Sequence, residues 1–348
     1  MTPDSITEVT EPIPASDTED ANTPSPITAA IDVLNRLTAA VKQQVLGRDD
    51  VIELTLIALV ADGHVLLEDF PGSGKTTLAK ALGEAIIDDG KDSDRDEFIL
   101  PFRRIQFTPD LLPSDVTGVP VFDSNSNAFH FRHGPLFAHV VLADEINRTS
   151  PKVQSAMLEA MGEKQVTVDN VTYPLDDLFF VIATQNPLDL VGTYPLPTPQ
   201  LDRFLFKITM DHIERQSELA VLYSYKQRRD LQQEKITVTR DEVLFAREQI
   251  DAAVTISASV KSALVDISRN LREDERVLQG NSTRSMVLML PALQVAAAWR
   301  GRNYVSAEDI ELLLPRVLGH RIELAPGVAD RNKGLLDAMR GPMEQLAR

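Results

Sequence analysis

The stretch "HVLLEDFPGSGKTTLAKALGEAII", 64–87, joins a short, wholly apolar run to a glycine-rich turn and then to a helical pattern. A run without polar alternation needs cover on both faces, and a parallel sheet flanked by helices supplies it. "FRRIQFT", "VVLADE" and "FFVIAT" are three more apolar runs ending in polar residues. The expected fold class is therefore α/β, with a parallel sheet flanked by helices. Helical spacing is predicted over 27–45, where Ile31, Leu34, Leu37, Val41 and Val45 recur, and over 75–87. Two stretches read as hairpins. "VPVFDSNSNAFHF", 119–131, alternates about a Ser/Asn-rich turn, and "VTVDNVTY", 166–173, alternates about Asp169-Asn170, a good two-residue turn.

Beyond about residue 212 the character changes. "RQSELAVLYSYKQRRDLQQ", "RDEVLFAREQIDAA", "SASVKSALVDISRNLRED", "STRSMVLMLPALQVAAAWRGR" and "SAEDIELLLPRVLGHRI" all carry helical apolar spacing, several behind a Ser or Asp cap. Residues 1–27 hold Asp4, Glu8, Glu11, Asp17, Glu19 and Asp20 without any Lys or Arg, which predicts a disordered acidic tail. The expected organisation is that tail, an α/β core over 28–212 and an all-helical region over 213–348. "DDGKDSDRDE", 88–97, reads as a polar surface loop.

Composition removes several classes of function. The chain of 348 residues has no cysteine, so it has no disulfide framework, Cys-based zinc site or thiol nucleophile. Its net charge of −17 argues against nucleic-acid binding, which needs clustered Lys and Arg. The N-terminus has neither a basic nor an apolar signal region, and the longest apolar run, "LTLIALVA", is far short of the roughly 20 residues of a membrane span. A cytoplasmic protein with no transmembrane segment is expected.

"EDFPGSGKTTLAK", 68–80, nearly matches the phosphate-cradling pattern G-x-x-x-x-G-K-[ST], with Asp69 at the first glycine position. Gly72 and Gly74 permit close backbone approach to an anion, and the helix starting near Lys75 points its positive end there. Lys75 suits the β- and γ-phosphates of a nucleoside triphosphate, and Thr76 suits Mg2+. In "HVVLADEINR" an apolar run ends in Asp144-Glu145, which places Asp144 by the metal and Glu145 by an attacking water. A solvated acidic pair is the plainer alternative. Asn186 ends "FFVIATQN", where it serves either the γ-phosphate or merely an Asn-Pro turn. Arg203 in "PTPQLDRF" projects as a phosphate-neutralising arginine from a neighbouring subunit, or else pairs with Asp202; Arg148 is a second candidate for contact across a subunit boundary. Arg284 lies in a helical first turn behind Ser282, a poor place for a cation unless an anion faces it.

Taken together, "LLEDFPGSGKTTLAKAL", "FTPDLLPSDVTG", "GPLFAHVVLADEINRTSPKVQSAMLEAMGEKQVTV", "ATQNP" and "GTYPLPTPQLDRF" resemble the MoxR family of AAA+ ATPases over about 45–325. The resemblance implies a P-loop AAA+ core with a C-terminal helical lid, assembly as a homo-oligomeric ring, usually a hexamer, and Mg2+-dependent ATP hydrolysis between subunits. It also implies chaperone-like remodelling or metal-insertion work on a protein client, often with a von Willebrand factor A domain partner. By the same resemblance Pro71, Gly72, Ser73, Gly74, Lys75, Thr76 and Thr77 form the nucleotide loop. Leu46 and Gly47 lie near the adenine, and Thr76 and Asp144 serve the metal. Glu145 is the catalytic carboxylate, Asn186 is sensor 1, Arg203 the trans-acting arginine and Arg284 sensor 2, with Lys75 and Arg284 on one subunit and Arg203 on the next. Both hairpins face the ring axis. Asp69 looks like other members, while "STRS" departs from the usual small-residue run around the sensor arginine. Three other readings stand beside the ring ATPase: a slowly hydrolysing nucleotide-dependent scaffold, a nucleic-acid motor, which the charge disfavours, and a small-molecule kinase, which rarely carries these motifs in this order.

Overall fold

Ser25 accepts the Thr28 N–H and Pro26 fills the first helical position, so α1 (Pro26–Lys42) starts at a fixed point. This computed structural model describes residues 25–68, 72–88, 98–186, 192–230, 235–328 and 331–346. The expected acidic tail up to residue 24, Asp69, Pro71 and the polar loop from residue 89 to 97 lie outside the described residues.

After α1 come α2 (Asp49–Val60), β1 (Val65–Glu68), α3 (Lys75–Ala85), β2 (Ile86–Ile87), β3 (Leu100–Gln106) and α4 (Pro113–Thr117). A first hairpin, β4 (Gly118–Asp123) with β5 (Ala128–His133), precedes β6 (Ala138–Asp144) and α5 (Pro151–Glu163). The second hairpin, β7 (Gln165–Val168) with β8 (Val171–Pro174), leads into β9 (Phe180–Gln185), α6 (Thr198–Leu201) and β10 (Phe206–Thr209). Five strands form one sheet in the order β10-β1-β9-β6-β3, and every pairing is parallel. The fifth, β10, is a short run that the sequence did not disclose. Asp169 and Asn170 both adopt positive φ, so the second hairpin turns as the sequence predicts.

Strand alternation divides the core between the two faces of the sheet. Val65, Leu67, Val140, Leu142, Phe180 and Ile182 point one way, into a cluster that runs through α1, α2 and α3 and on into the C-terminal helices. Leu66, Val141, Ala143, Val181 and Ala183 point the other way, onto Val153, Met157 and Met161 of α5.

The C-terminal part holds α7 (Arg215–Asp230), β11 (Val238–Thr239), α8 (Arg240–Ala253), α9 (Ala258–Glu273), β12 (Val277–Gln279), α10 (Thr283–Trp299), α11 (Ala307–Leu318), β13 (Glu323–Leu324) and α12 (Arg331–Leu346). It is helical except for these short strands, which corrects the all-helical expectation. β12 pairs with β13, and β11 pairs with β2. The predicted helix over 75–87 accordingly ends at Ala85, because the β-branched pair Ile86-Ile87 extends to meet Val238 and Thr239. Among the described residues no helix is long and apolar enough to cross a membrane.

Beneath the amino end of β6, His139 is buried between two carboxylates. Its Nε2 lies 2.7 Å from Asp88 and its Nδ1 3.3 Å from Asp176, which also takes two hydrogen bonds from Arg240 at the head of α8. Burial opposes charge on His139, but the hydrogen bond and charge of Asp176 and the charge of Asp88 outweigh it and raise the pKa. The stabilisation from the imidazolium is therefore complete below the ordinary imidazole range and is lost as pH rises through the raised value. Denaturant unfolding should show a fall in stability as pH rises above the ordinary imidazole range, and that fall should be shallower in His139→Gln. Equal slopes in the two proteins would exclude the imidazolium at this site.

Candidate functional site

Polar groups gather at both ends of the sheet. At the carboxyl end, β1 stops at Glu68 and the chain re-enters description at Gly72. Gly72 and Gly74 hold φ of +91° and +96°, values that L side chains rarely adopt, and a Cβ on either would meet nothing within 4 Å. The backbone over 72–74 thus faces open space. α3 starts at Lys75, so its first-turn N–H groups and positive dipole end point toward this end of the sheet. Ser73 Oγ is buried there and has no hydrogen-bond partner among the described residues. Lys75 is half-buried, and Thr76 and Thr77 are exposed in the helix's first turn.

Two strands away, β6 ends at Asp144, 8% exposed. Thr184 Oγ1 on β9 donates to Asp144 Oδ1 at 2.7 Å and accepts the Glu145 N–H at 2.8 Å. One hydroxyl thus ties the two acidic residues to the neighbouring strand. Glu145 itself sits at φ +58°, left-handed for a non-glycine residue, where a short 3-10 turn, Ile146–Arg148, begins. Its carboxylate accepts from Gln106 Nε2 at 3.0 Å and pairs with Arg148 Nε at 3.2 Å. Arg104 Nη2 donates to Asp144 Oδ2 at 2.6 Å. Gln185 of β9 and Lys207 of β10, the strands on either side of β1, both hold Glu68 Oε1, at 2.8 and 2.9 Å. Asn186 directly follows β9 at this edge. Gly47, φ +69°, lies so close to α7 that a Cβ would come 2.5 Å from Ser217 Cβ; this places half-buried Leu46 and exposed Gly47 beside the segment that leaves β10.

Among the described residues no three His, Cys, Asp or Glu side chains cluster as metal ligands. That suits Mg2+, which takes one or two protein oxygens and otherwise uses phosphate and water. Thr76 and Asp144, oxygen donors at the same end of the sheet, are of the type that Mg2+ with a triphosphate takes, and Ser73 Oγ has no partner among the described residues.

Arg203 and Arg284 lie toward the amino end of the sheet. A cleft of about 410 Å3 is lined by Asp62, His64, Gly162, Lys164, Arg203 and Arg284, among others. Lys164 is held by Asp62 at 2.7 Å. His64 is buried, its Nε2 meeting Met161 O at 3.1 Å while Nδ1 accepts the Val181 N–H at 3.2 Å. Burial pushes its pKa down to about 4, so the ring is neutral at physiological pH. Arg203 presents the Nη1 end of its guanidinium to Gly162 in α5, and that Nη1 is buried with no hydrogen-bond partner among the described residues. Arg284 is exposed in the first turn of α10. None of residues 72–76 lines this cleft. Arg284 thus lines the same cleft as Arg203.

Asp202 does not pair with Arg203. It accepts instead from Ser282 Oγ at 3.2 Å, Ser285 Oγ at 3.1 Å and Arg321 Nε at 2.6 Å. Arg321 is 2% exposed, and its remaining N–H groups reach the carbonyls of Asp202, Phe204, Leu205 and Val317. Sequence reasoning missed Arg104, Gln106, Gly162, Thr184 and Arg321. Thr184 and Gln106 each stand at the polar end of an apolar run, a signal that marks the right edge of the sheet. Nothing local marks Arg321 or Gly162.

Thr184→Val keeps the shape and removes the shared hydroxyl. Leaving the Glu145 N–H and Asp144 Oδ1 without that partner should cost about 1–3 kcal/mol of stability by denaturant unfolding. An unchanged midpoint would show that the two acidic residues are held by other contacts.

The comparisons with known proteins agree with this geometry. Residues 64–206 match the profile of the ATPase family associated with various cellular activities (AAA), and 269–334 match the AAA lid domain. The chain is 43% identical over 294 residues to YeaC of Bacillus subtilis, a protein named as uncharacterized, covering 84% of this chain and 88% of that one. It is 35% identical over 311 residues to Chaperone MoxR1 of Mycobacterium tuberculosis, covering 86% and 78% respectively. A crystal structure from Cytophaga hutchinsonii, described as that of a candidate ATPase, superposes with a TM-score of 0.79 at 34% identity, covering 90% of this chain and 96% of that one. With a parallel sheet in the order found here, a glycine-rich turn after β1 and a lid-type helical region, the chain belongs to the MoxR family of AAA+ ATPases.

Proposed function

We propose that copies of this chain close into a ring, hexameric as the resemblance implies, which binds ATP with Mg2+ between adjacent subunits and hydrolyses it to remodel or mature a protein client. The observation that carries this reading is the division of phosphate-handling groups between opposite ends of one sheet. Residues 72–76, Asp144 and Glu145 lie beyond the carboxyl end of β1 and β6, whereas Arg203 and Arg284 line a cleft beside His64, which precedes β1. The four residues of β1 alone hold the two groups about 13 Å apart. Two copies bring them to one phosphate when the carboxyl end of one sheet faces the amino end of the next.

In that interface Lys75 and the backbone over 72–74 grip the β- and γ-phosphates, with Pro71 and Thr77 flanking the loop and Leu46 and Gly47 near the base. Thr76 and Asp144 hold Mg2+, which when bound draws off phosphate charge. Glu145 orients the attacking water, which requires its carboxylate to leave Gln106 and Arg148. Asn186 stands within reach of the same water or of the γ-phosphate. Arg203 and Arg284 of the next subunit neutralise the charge that develops on the γ-phosphate, so both arginines are assigned to the neighbour. Arg148, paired with Glu145 at the carboxyl end, is less suited to act across the boundary from the arginine side.

The client is a protein. The first hairpin exposes Phe122 and Phe129, whose rings meet edge-on at 5.2 Å. The name of the mycobacterial relative supports chaperone-like work, and a von Willebrand factor A domain partner fits the same role. The net charge of −17 supports a protein substrate over a nucleic acid. A compartment without disulfide chemistry, the cytoplasm, suits a chain lacking cysteine.

Glu145→Gln should retain ATP binding and lose turnover by on the order of 10²–10⁴-fold, with the ring isolated in its ATP-bound form. Lys75→Ala should lose binding of a fluorescent ATP analogue. Client-directed function retained in Glu145→Gln despite lost turnover would favour the scaffold reading, in which nucleotide occupancy and not hydrolysis is the output.

A further inference from the structure

Arg203 and Arg284 belong to different parts of the chain, one to the segment between α6 and β10, the other to the first turn of α10. Two flexible cations on independently moving elements would reach a phosphate only at a large cost in ordering. The structure removes that independence through the residue beside Arg203. Asp202 accepts from both serine hydroxyls at the start of α10, and Ser282 also caps that helix by accepting the Ser285 N–H at 3.3 Å. The carboxylate stands at the helix's positive end, where its charge is favoured. From the other side Asp202 is fixed by Arg321, which also donates to the carbonyls of Asp202, Phe204 and Leu205. His320 adds a contact from Nε2 to Phe204 O at 3.1 Å. The backbone that carries Arg203 is thus bonded at successive residues to the turn after α11 and to the head of α10.

We propose that Asp202 is a positioning residue that locks Arg203 and Arg284 into a single two-armed unit aimed at the phosphates of a neighbouring copy, with Arg321 as its buried counter-ion and Gly162 as the seat of the Arg203 arm. The proposal rests on the two-subunit reading given above. Gly162 supports the Arg203 side directly, because a Cβ at that position would fall 1.7 Å from Nη1 and 3.0 Å from Cζ. The guanidinium can lie where it does only across a residue without a side chain. Its buried, unpartnered Nη1 keeps a donor in reserve. Burial opposes charge on Asp202, but Arg321 and the two serines hold its pKa below the usual carboxylate range, so the lock stays charged at neutral pH.

The test uses full-length proteins and mixed assemblies. Asp202→Asn, which keeps the shape and drops the charge, is assayed alone and after mixing with Lys75→Ala chains. The Lys75→Ala chain has no working ATP grip but keeps Asp202, Arg203 and Arg284 intact. Alone, Asp202→Asn should bind a fluorescent ATP analogue within about twofold of the unaltered protein and lose turnover by on the order of 10²-fold. Mixing should restore part of the turnover, because a productive interface then takes its ATP from the Asp202→Asn chain and its arginines from the Lys75→Ala chain. A subunit that is merely misfolded has no ATP site to lend and gains nothing from mixing. Ser282→Ala/Ser285→Ala leaves the Arg321 pair in place and should show a smaller loss, also restored by mixing. Arg203→Ala mixed with Lys75→Ala is the reference. No restoration in that reference sinks the two-subunit reading itself. Restoration there, with none for Asp202→Asn or the serine variant, overturns the role of Asp202 alone. Full turnover in Ser282→Ala/Ser285→Ala overturns it too, even where Asp202→Asn fails to fold.

Discussion

Because all five strands of the sheet run the same way, its two ends cannot be alike. Every loop that leaves a strand emerges at one edge, and every loop that enters a strand arrives at the other. β1 lies between β9 and β10, so the turn after it opens where the connections diverge, the position at which open α/β sheets hold ligands. The helix that follows must start there, and Gly72 and Gly74 supply the positive φ that lets it do so without a side chain in the way. Asp144 and Glu145 arrive at the same edge because β6 ends in register with Gln106 of β3. The arginines reach the opposite edge for the same topological reason, since the segment that carries Arg203 precedes β10 just as His64 precedes β1.

The junction between the sheet and the C-terminal helices joins an apolar core to a polar lock. The larger core cluster runs without a break from Val65 and Leu67 of the sheet to Leu313 and Leu314 of α11, which gives the interface its bulk stability but little directional preference. Arg321 supplies direction. A guanidinium buried this deeply is costly unless its N–H groups are satisfied, and every carbonyl it uses but one comes from 202–205. A slip of the helices along the sheet would strand that charge. Apolar packing thus holds the two parts together, and Asp202 with Arg321 fixes how they are held.

Much of this was legible in the sequence because it depends on local chemistry. The Asp169-Asn170 turn, the apolar strands and the helix beginning at Lys75 are fixed by residues within a few positions of one another. Serine caps were equally readable, and Ser282 does cap α10. What the sequence withheld depends on contacts distant in the chain. β10 is four residues long and has no periodicity of its own; it becomes a strand by pairing with β1. Ile86-Ile87 leaves its helix only because Val238 and Thr239 are there to meet it. Arg284 shares every local feature with a cation placed beside its own chain's nucleotide. Only the packing of α10 on Asp202 sends it to the opposite end of the sheet.

The same packing decides what can move together. α5 ends one residue beyond Gly162, the seat of Arg203, and Lys164 in a left-handed conformation turns the chain at once into β7. The second hairpin therefore stands on the arginine seat with no slack between them. Tyr173 of that hairpin stacks on Phe131 of the first at 3.8 Å with the rings 12° from parallel, and His133 and Phe137 close around the pair. Stacked rings in a packed cluster resist sliding more than they resist joint displacement. The two hairpins, the end of α5 and the Arg203 guanidinium thus form one mechanical body, whose far tip carries the exposed Phe122 and Phe129. A displacement of Arg203 toward an anion has to move Gly162 or lose contact with it. The first alternative carries the aromatic tip along; the second leaves the tip where it was. The stiffness of the turn at Lys164, pinned by Asp62 and by the Asp177 carbonyl at 2.7 Å each, favours the first.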